Sequence, residues 1–136
     1  QKPLDSILYG ETIEQSKIIK FKMIKNEDQL SSEITKTVNS NKLLIVKFYA
    51  DWCITCNKLE RVVFSNKAVN EALKETLTST LDVTDNNRFN QSMLARFSLV
   101  GPPALLFFKN GLEQRSYRII GEISAEELVE HLNNLR

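Results

Sequence analysis

The sequence predicts an α/β fold, one mixed central β-sheet with helices on both of its faces. Three observations carry that expectation. The nearly continuous apolar run "KLLIVKFYA" at 42–50 has the length and composition of a strand buried on both sides, as in the middle of an α/β sheet. Segments of strand and helix period alternate along the chain, which implies parallel crossovers. Two apolar stretches then flank Asn110-Gly111, a dipeptide favoured in hairpin turns, which adds an antiparallel edge.

The elements follow in order. Residues 1–16, "QKPLDSILYGETIEQS", have no sustained period and contain Pro3 and Gly10, so they read as an irregular lead or linker end. Residues 17–136 form the single domain that 136 residues can supply. "KIIKFKMI" at 17–24 mixes β-branched and aromatic residues in a rough alternation, a short strand. Asn26 is placed to cap a helix over "EDQLSSEITKTV", with Leu30, Ile34 and Val38 as its apolar stripe. After the central strand, "CITCNKLERVVF" sets Cys56, Leu59 and Val63 on one helical stripe. "SNKAVNEALKE" reads as a further helix with Ser65 or Asn66 as cap, and "LTSTLDV" as a strand. "NRFNQSMLARF" carries Phe89, Met93, Leu94 and Phe97 at helical spacing. "PALLFFKNGLEQRSYRIIG" is the hairpin, and Ser124 with Glu127 forms a capping box before the last amphipathic helix.

Composition excludes several classes of function. Eighteen basic residues against seventeen acidic ones leave a net charge of +1, so nothing draws the chain to nucleic acid or an anionic membrane. No apolar run approaches the roughly 18 residues needed to span a bilayer, so no direct insertion of this chain is expected. No signal peptide is visible and the first residue is Gln, which reads as a processed or excised piece.

The chemistry lies in "FYADWCITCNKLE" at 48–60, which holds both cysteines of the chain, Cys53 and Cys56. As a structural staple the pair would close a very short loop, with little entropic effect on the unfolded chain. As a metal site it lacks ligands: zinc wants four, and the one other candidate, His131, lies in the last helix with no ligand partner beside it, as expected of a surface or helix-end residue. No metal and no cofactor beyond a redox-active disulfide are therefore expected. Redox chemistry remains. Cys53 falls where a buried strand ends and a helix begins, and the unsatisfied N–H groups there favour an anion and so a thiolate. Cys56, one turn later, points further inward. Cys53 would attack or be attacked, and Cys56 would resolve the mixed disulfide. Ile54 and Thr55 between them supply neither His nor charge to make the pair strongly oxidising.

"YADWCITCNKLE", the segment "FSNKAV" after it, and "VGPPALLFF" before a Gly-terminated hairpin strand together resemble the thioredoxin superfamily. More narrowly they are similar to the C-terminal periplasmic domains of the DsbD family of bacterial transmembrane thiol:disulfide interchange proteins. The likeness runs from about Phe21 to the end, with "FKMIKNEDQLSSEI" matching the opening strand and helix. It implies a thioredoxin-like fold and a protein-disulfide reductase that exchanges with protein thiols and disulfides. Such a domain takes electrons from a membrane-embedded domain of its parent protein and passes them to an N-terminal periplasmic domain. From there they serve disulfide isomerase and cytochrome c maturation. Two other classes stay open: a free-standing thioredoxin-like reductase with another electron donor, and a non-enzymatic binding module on the same fold.

The resemblance also assigns neighbours. Pro103 matches the family's cis-proline, which lies against the disulfide and offers backbone to partners; otherwise Pro102-Pro103 would simply bound a strand. Pro102 departs from the pattern and removes an N–H. Trp52 is a flat contact for partners as well as a packing residue. Tyr49 belongs to core or rim. Asp51 favours the helix start but, as a like charge, opposes a thiolate at Cys53. Glu60, four residues after Cys56, is either a proton-exchanging third catalytic residue or a solvated carboxylate. Lys47 stands where the family carries a buried acid. It must snorkel, lose its proton or pair, and a Lys47–Glu60 pair replacing that acid is the expectation.

Overall fold

The computed structural model describes residues 17–136; the expected lead, 1–16, lies outside the described residues. The elements are β1 (Lys22–Met23), α1 (Glu27–Ser40), β2 (Leu44–Tyr49), α2 (Ile54–Val62), α3 (Lys67–Ala72), β3 (Leu77–Asp82), α4 (Arg88–Arg96), β4 (Ala104–Lys109), β5 (Leu112–Glu113), β6 (Ile119–Ile120) and α5 (Ala125–Leu135). The sheet runs β1-β3-β2-β4-β5, with β6 also paired to β4. β3 lies parallel to β1 and to β2, and every pairing of β4 is antiparallel. This is the mixed sheet that the alternation and the hairpin together imply.

Strand periodicity separates two cores. Leu44, Val46 and Phe48 of β2 point into a cluster with Leu30 of α1 and Met93 and Phe97 at α4. Ile45 points the other way, to Leu59, Val63, Phe64, Leu73, Leu128 and Leu132 of α2, α3 and α5. So α1 and α4 cover one face and α2, α3 and α5 the other. Leu44, Ile45 and Phe48 are fully buried, each contributing about 1.5–3 kcal/mol of transfer free energy. The continuous apolar run is needed because β2 is sandwiched, and Lys47 interrupts it on the α2 side.

Caps appear where the side chains allow them. The Asn26 side chain accepts from the Gln29 N–H, Asn66 caps α3, and Ser124 and Glu127 form the reciprocal box of α5. Asn110 and Gly111 both adopt positive φ, 54° and 80°, as a two-residue primed hairpin turn requires.

Four expectations need correction. The opening strand shrinks to Lys22–Met23, because Ile19 and Phe21 pack into the α2-side core rather than into a ladder. Val38 is 57% exposed. The face of α1 that turns inward is Leu30, Glu33 and Thr37, because Glu33 meets Lys22 and Lys36, and Thr37 accepts the N–H of Gly111 at 2.7 Å. The return arm of the hairpin is split into β5 and β6 by a 3-10 turn at Arg115–Tyr117, where Arg118 reaches Glu113 and the carbonyl of Phe97. His131 is half-buried within α5 rather than at a helix end: its ring packs on Phe107 and Tyr117, and Nε2 donates to the Tyr117 carbonyl at 2.6 Å.

Candidate redox site

β2 ends at Tyr49 in the middle of the sheet, and the chain turns at once into α2. The Cys53 N–H donates to the Ala50 carbonyl at 3.2 Å and closes that turn. Cys53 is the N-cap of α2 and, in place of a Ser or Asp oxygen, its Sγ accepts the N–H of Cys56 at 3.1 Å. An otherwise orphaned helix donor is thereby aimed at the sulfur, where partial positive charge favours an anion. Cys53 and Cys56 are disulfide-bonded, with Cα atoms 5.2 Å apart. Cys53 is 7% exposed and Cys56 2%, so the outer and inner sulfurs are ordered as the helix geometry predicts.

The Pro102-Pro103 bond is cis. Phe48 pairs with Ala104, so one step further along this antiparallel ladder Pro103 falls across from Tyr49. That is the same end of the sheet as Cys53. The Pro103 carbonyl accepts the N–H of Gly121 at 3.2 Å. Pro102 and Pro103 are both partly exposed. Trp52 stands 61% exposed, and its indole N–H donates to the Thr84 carbonyl at 3.1 Å. Ile54, 86% exposed, and Val100, fully exposed, add apolar surface at the same end. Nothing in the sequence set Val100 apart, because a single apolar residue in a loop carries no period, and Ile54 was read only for its lack of charge.

Lys47 is 6% exposed. Its Nζ reaches Glu60 Oε2 at 2.5 Å and lies over the rings of Phe21 and Phe64, 4.0 and 4.4 Å from their centroids. The ion pair and the two aromatic faces together replace water around the ammonium. Burial nevertheless pushes the Lys47 pKa down, and Glu60 offsets only part of that. The Glu60 side chain is 39% exposed, so the pair joins a sealed cation to a wet carboxylate. Both line an open groove of about 560 Å³ with Tyr49, Phe64, Thr80 and Asp82. Neither cysteine lines that groove. Glu60 lies one helical turn beyond Cys56, on α2 itself.

Tyr49 sits at the rim. Its hydroxyl lies 3.0 Å from Asp51 Oδ1 and 3.2 Å from Asn57 Oδ1, and its pKa is pushed up to about 12, by burial first and then by the Asp51 carboxylate. Asp51 is exposed, two residues before the cap. Two residues that the sequence did not single out, Asn57 and Thr84, both bond the turn that carries Cys53.

The thioredoxin family model matches residues 20–134. The thiol:disulfide interchange protein DsbD of Pseudomonas sp. (strain JR1 / K1) is 34% identical over 117 residues, 85% of this chain and 20% of that protein. That of Photorhabdus laumondii is 34% identical over 137 residues, 98% of this chain and 24% of that protein. The chain thus spans less than a quarter of the length of these curated relatives. Among solved structures, the oxidised C-terminal domain of Neisseria meningitidis DsbD superposes with a TM-score of 0.70 at 24% identity, covering 84% of this chain and 99% of that one. Fasciola hepatica thioredoxin gives a TM-score of 0.67 at 22% identity, covering 85% and 100%; at these identities both likenesses bear on the fold. A family match over nearly the whole described length agrees with the sheet order and the helix-capping cysteine pair: the chain belongs to the thioredoxin family and is related to the DsbD thiol:disulfide interchange proteins.

Proposed function

We propose that this domain is a reductase relay, which passes electrons by dithiol–disulfide exchange from a membrane-embedded domain of its parent protein to an N-terminal domain and other periplasmic partners. The observation that carries the reading is the sulfur of Cys53 at the α2 cap, accepting a helix N–H while bonded to a deeper cysteine. In the forward half-reaction the Cys53 thiolate attacks one sulfur of a partner disulfide. The partner S–S bond breaks, a mixed disulfide forms, and the partner's other sulfur leaves as a thiolate and takes up a proton. Cys56 then loses its proton and attacks Cys53 Sγ, which releases the second partner thiol and closes the Cys53–Cys56 disulfide. Two electrons have passed to the partner, and two more from the donor reopen the pair.

Trp52 and the Pro102-Pro103 edge are the partner-contact surface in this reading, and Asp51 tempers thiolate formation at Cys53. The Lys47–Glu60 pair handles the proton of Cys56: Glu60 is one turn away, and its exposed half connects it to water. Titrating the Cys56 thiol in wild type and Lys47→Ala tests that assignment, and identical curves would refute it. Location in the periplasm, as a domain of an inner-membrane protein, is supported by the DsbD relatives. The decisive experiment is Cys56→Ser, which should accumulate a covalent partner complex sensitive to reductant, together with the pair's reduction potential. A variant that traps nothing, with Cys53 alkylating no faster than an ordinary thiol, would leave only a binding module.

A further inference from the structure

The turn Ala50–Cys53 is gripped from two sides by residues of different elements. From the β3 side, Thr84 Oγ1 accepts the N–H of Asp51 at 2.8 Å. A backbone N–H can only donate, so the hydroxyl proton must point elsewhere, and Asp82 Oδ1 receives it at 2.5 Å. The same carboxylate oxygen accepts the Thr84 N–H at 2.9 Å, which fixes Thr84 itself. From the α2 side, Asn57 Nδ2 donates to the carbonyls of Asp51 and Cys53, both at 3.0 Å. Two carbonyl acceptors require the amide NH2 there, so Asn57 Oδ1 is left facing the Tyr49 hydroxyl at 3.2 Å. Asp51 is therefore held at its N–H by one clasp and at its carbonyl by the other, two residues before the sulfur.

We propose that Asn57 and Thr84 are positioning residues for Cys53, and that their two-sided clasp fixes the sulfur against the α2 N–H groups while its covalent partner changes. The inference rests on the reading of Cys53 as the attacking thiol and adds to it. During the cycle Cys53 Sγ is in turn a disulfide, a thiolate and a mixed disulfide. The disulfide itself tethers the turn to α2 in the first state only. In the reduced state the tether is gone, and the Sγ–N–H contact that favours the thiolate persists only if the Cys53 backbone is held by something else. The clasp does that without touching sulfur. It also sets the rim, because the Thr84 carbonyl holds the Trp52 indole. Fixed geometry matters in thiol exchange because the three sulfurs must align, and freedom in the attacking group is lost rate. Asp82 acts one step behind: its Oδ1 accepts the Thr84 hydroxyl, which leaves a hydroxyl lone pair for the Asp51 N–H.

The test uses reduced protein in a Cys56→Ser background and reads the iodoacetamide alkylation rate of Cys53 against pH. Thr84→Val keeps the shape and removes the hydroxyl, and Thr84→Ser restores it. Asn57→Leu keeps the shape and removes both donors without adding a charge beside Cys53. The expected result is a rate at neutral pH about fivefold lower in Thr84→Val and Asn57→Leu, the equivalent of roughly one net hydrogen bond. The midpoint of the profile should move to higher pH, and Thr84→Ser should stay near the parent. A shifted midpoint separates positioning from general loosening, which would lower the amplitude and leave the midpoint in place. Profiles that coincide with the parent in both Thr84→Val and Asn57→Leu overturn the clasp, as does a Thr84→Ser variant as impaired as Thr84→Val. If either variant fails to fold, the other decides. A parent whose Cys53 reacts like an ordinary thiol refutes the functional reading instead, so the two failures are distinct.

Discussion

Removing Glu60 and removing Lys47 should have unequal consequences, although both break the same 2.5 Å contact. Glu60→Gln leaves the ammonium of Lys47, 6% exposed, with two aromatic faces and no counter-charge. Loss of one partner of a sealed ion pair costs about 3–5 kcal/mol, whereas exposed pairs are worth about 0–1 kcal/mol. Because the Glu60 side chain is 39% exposed, the expected loss lies between these limits, at about 2 kcal/mol. For a chain of this length that is a fall of roughly 7 °C in Tm. Lys47→Met instead removes the buried charge, fills the slot between Phe21 and Phe64, and leaves a carboxylate that can turn to water. Its expected change is within about 1 kcal/mol of neutral, with stabilisation allowed. The sign with pH follows from burial. The folded pKa of Lys47 lies below its ordinary 10.5, so between those two values the unfolded chain holds a proton the folded one lacks, and stability rises with pH. Glu60→Gln lowers the folded pKa further, so its rise starts earlier and its deficit narrows as pH approaches 10.5. Urea titrations of the oxidised domain from pH 6 to 10.5 read all of this. Equal losses in Glu60→Gln and Lys47→Met, or a Glu60→Gln deficit independent of pH, would refute the reasoning.

Three further outcomes follow from other contacts. Tyr49, with its pKa raised to about 12, keeps its proton in the folded state after the unfolded chain has lost it, so stability falls from about pH 10 upward; Tyr49→Phe should flatten that fall in alkaline urea titrations. Glu33 is buried, yet hydrogen bonds from Lys36 and Lys22 outweigh the burial and hold its pKa below 4.5. Its contribution is present above 4.5 and lost as pH drops through the folded value, so Glu33→Gln should cost about 1.5 kcal/mol at pH 7 and show a shallower acid transition. Gly111→Ala forces a side chain onto φ +80° and sets its Cβ 3.0 Å from Val38 Cγ2, which should cost about 1–2 kcal/mol. Adding Val38→Ala should recover the contact but not the backbone strain.

Local rules were readable wherever the partner of a residue is close in sequence. Asn26, Asn66 and the Ser124–Glu127 box cap their helices because each bond spans three residues, and Asn110-Gly111 turns the chain by its own φ preference. The cysteine pair was legible for the same reason, since cap and thiol belong to one turn of helix. What failed was set across distance. Val38 has the spacing of a core residue, but the α1 face is chosen by Lys22 waiting for Glu33 and by Gly111, 74 residues away, waiting for Thr37. His131 looked like a helix-end residue because neither Phe107 nor the Tyr117 carbonyl is near it in sequence. Asn57 and Thr84 were invisible for a different reason: they are polar, aperiodic residues whose partners are backbone groups of a turn, and backbone groups leave no trace in sequence. Lys47 is the instructive exception. A lone ammonium in an apolar strand demanded a partner, and the helical register beyond Cys56 offered Glu60.

That exception links stability to chemistry. When the disulfide opens, Cys56 becomes a thiol at a position 2% exposed, where burial strongly favours the neutral form. Resolution of a mixed disulfide needs the opposite, a thiolate at the moment of attack, so a group must accept the proton nearby and deliver it to water. A fully apolar slot would be the more stable filling beneath α2. In the proposed reading that group is the Lys47–Glu60 pair, which joins a sealed cation to a carboxylate that opens on the groove. Lys47→Met should therefore match or exceed wild type in urea while its resolution step slows, measured as the lifetime of a mixed disulfide on Cys53. A protein that kept Lys47 for packing alone would show the two quantities moving together.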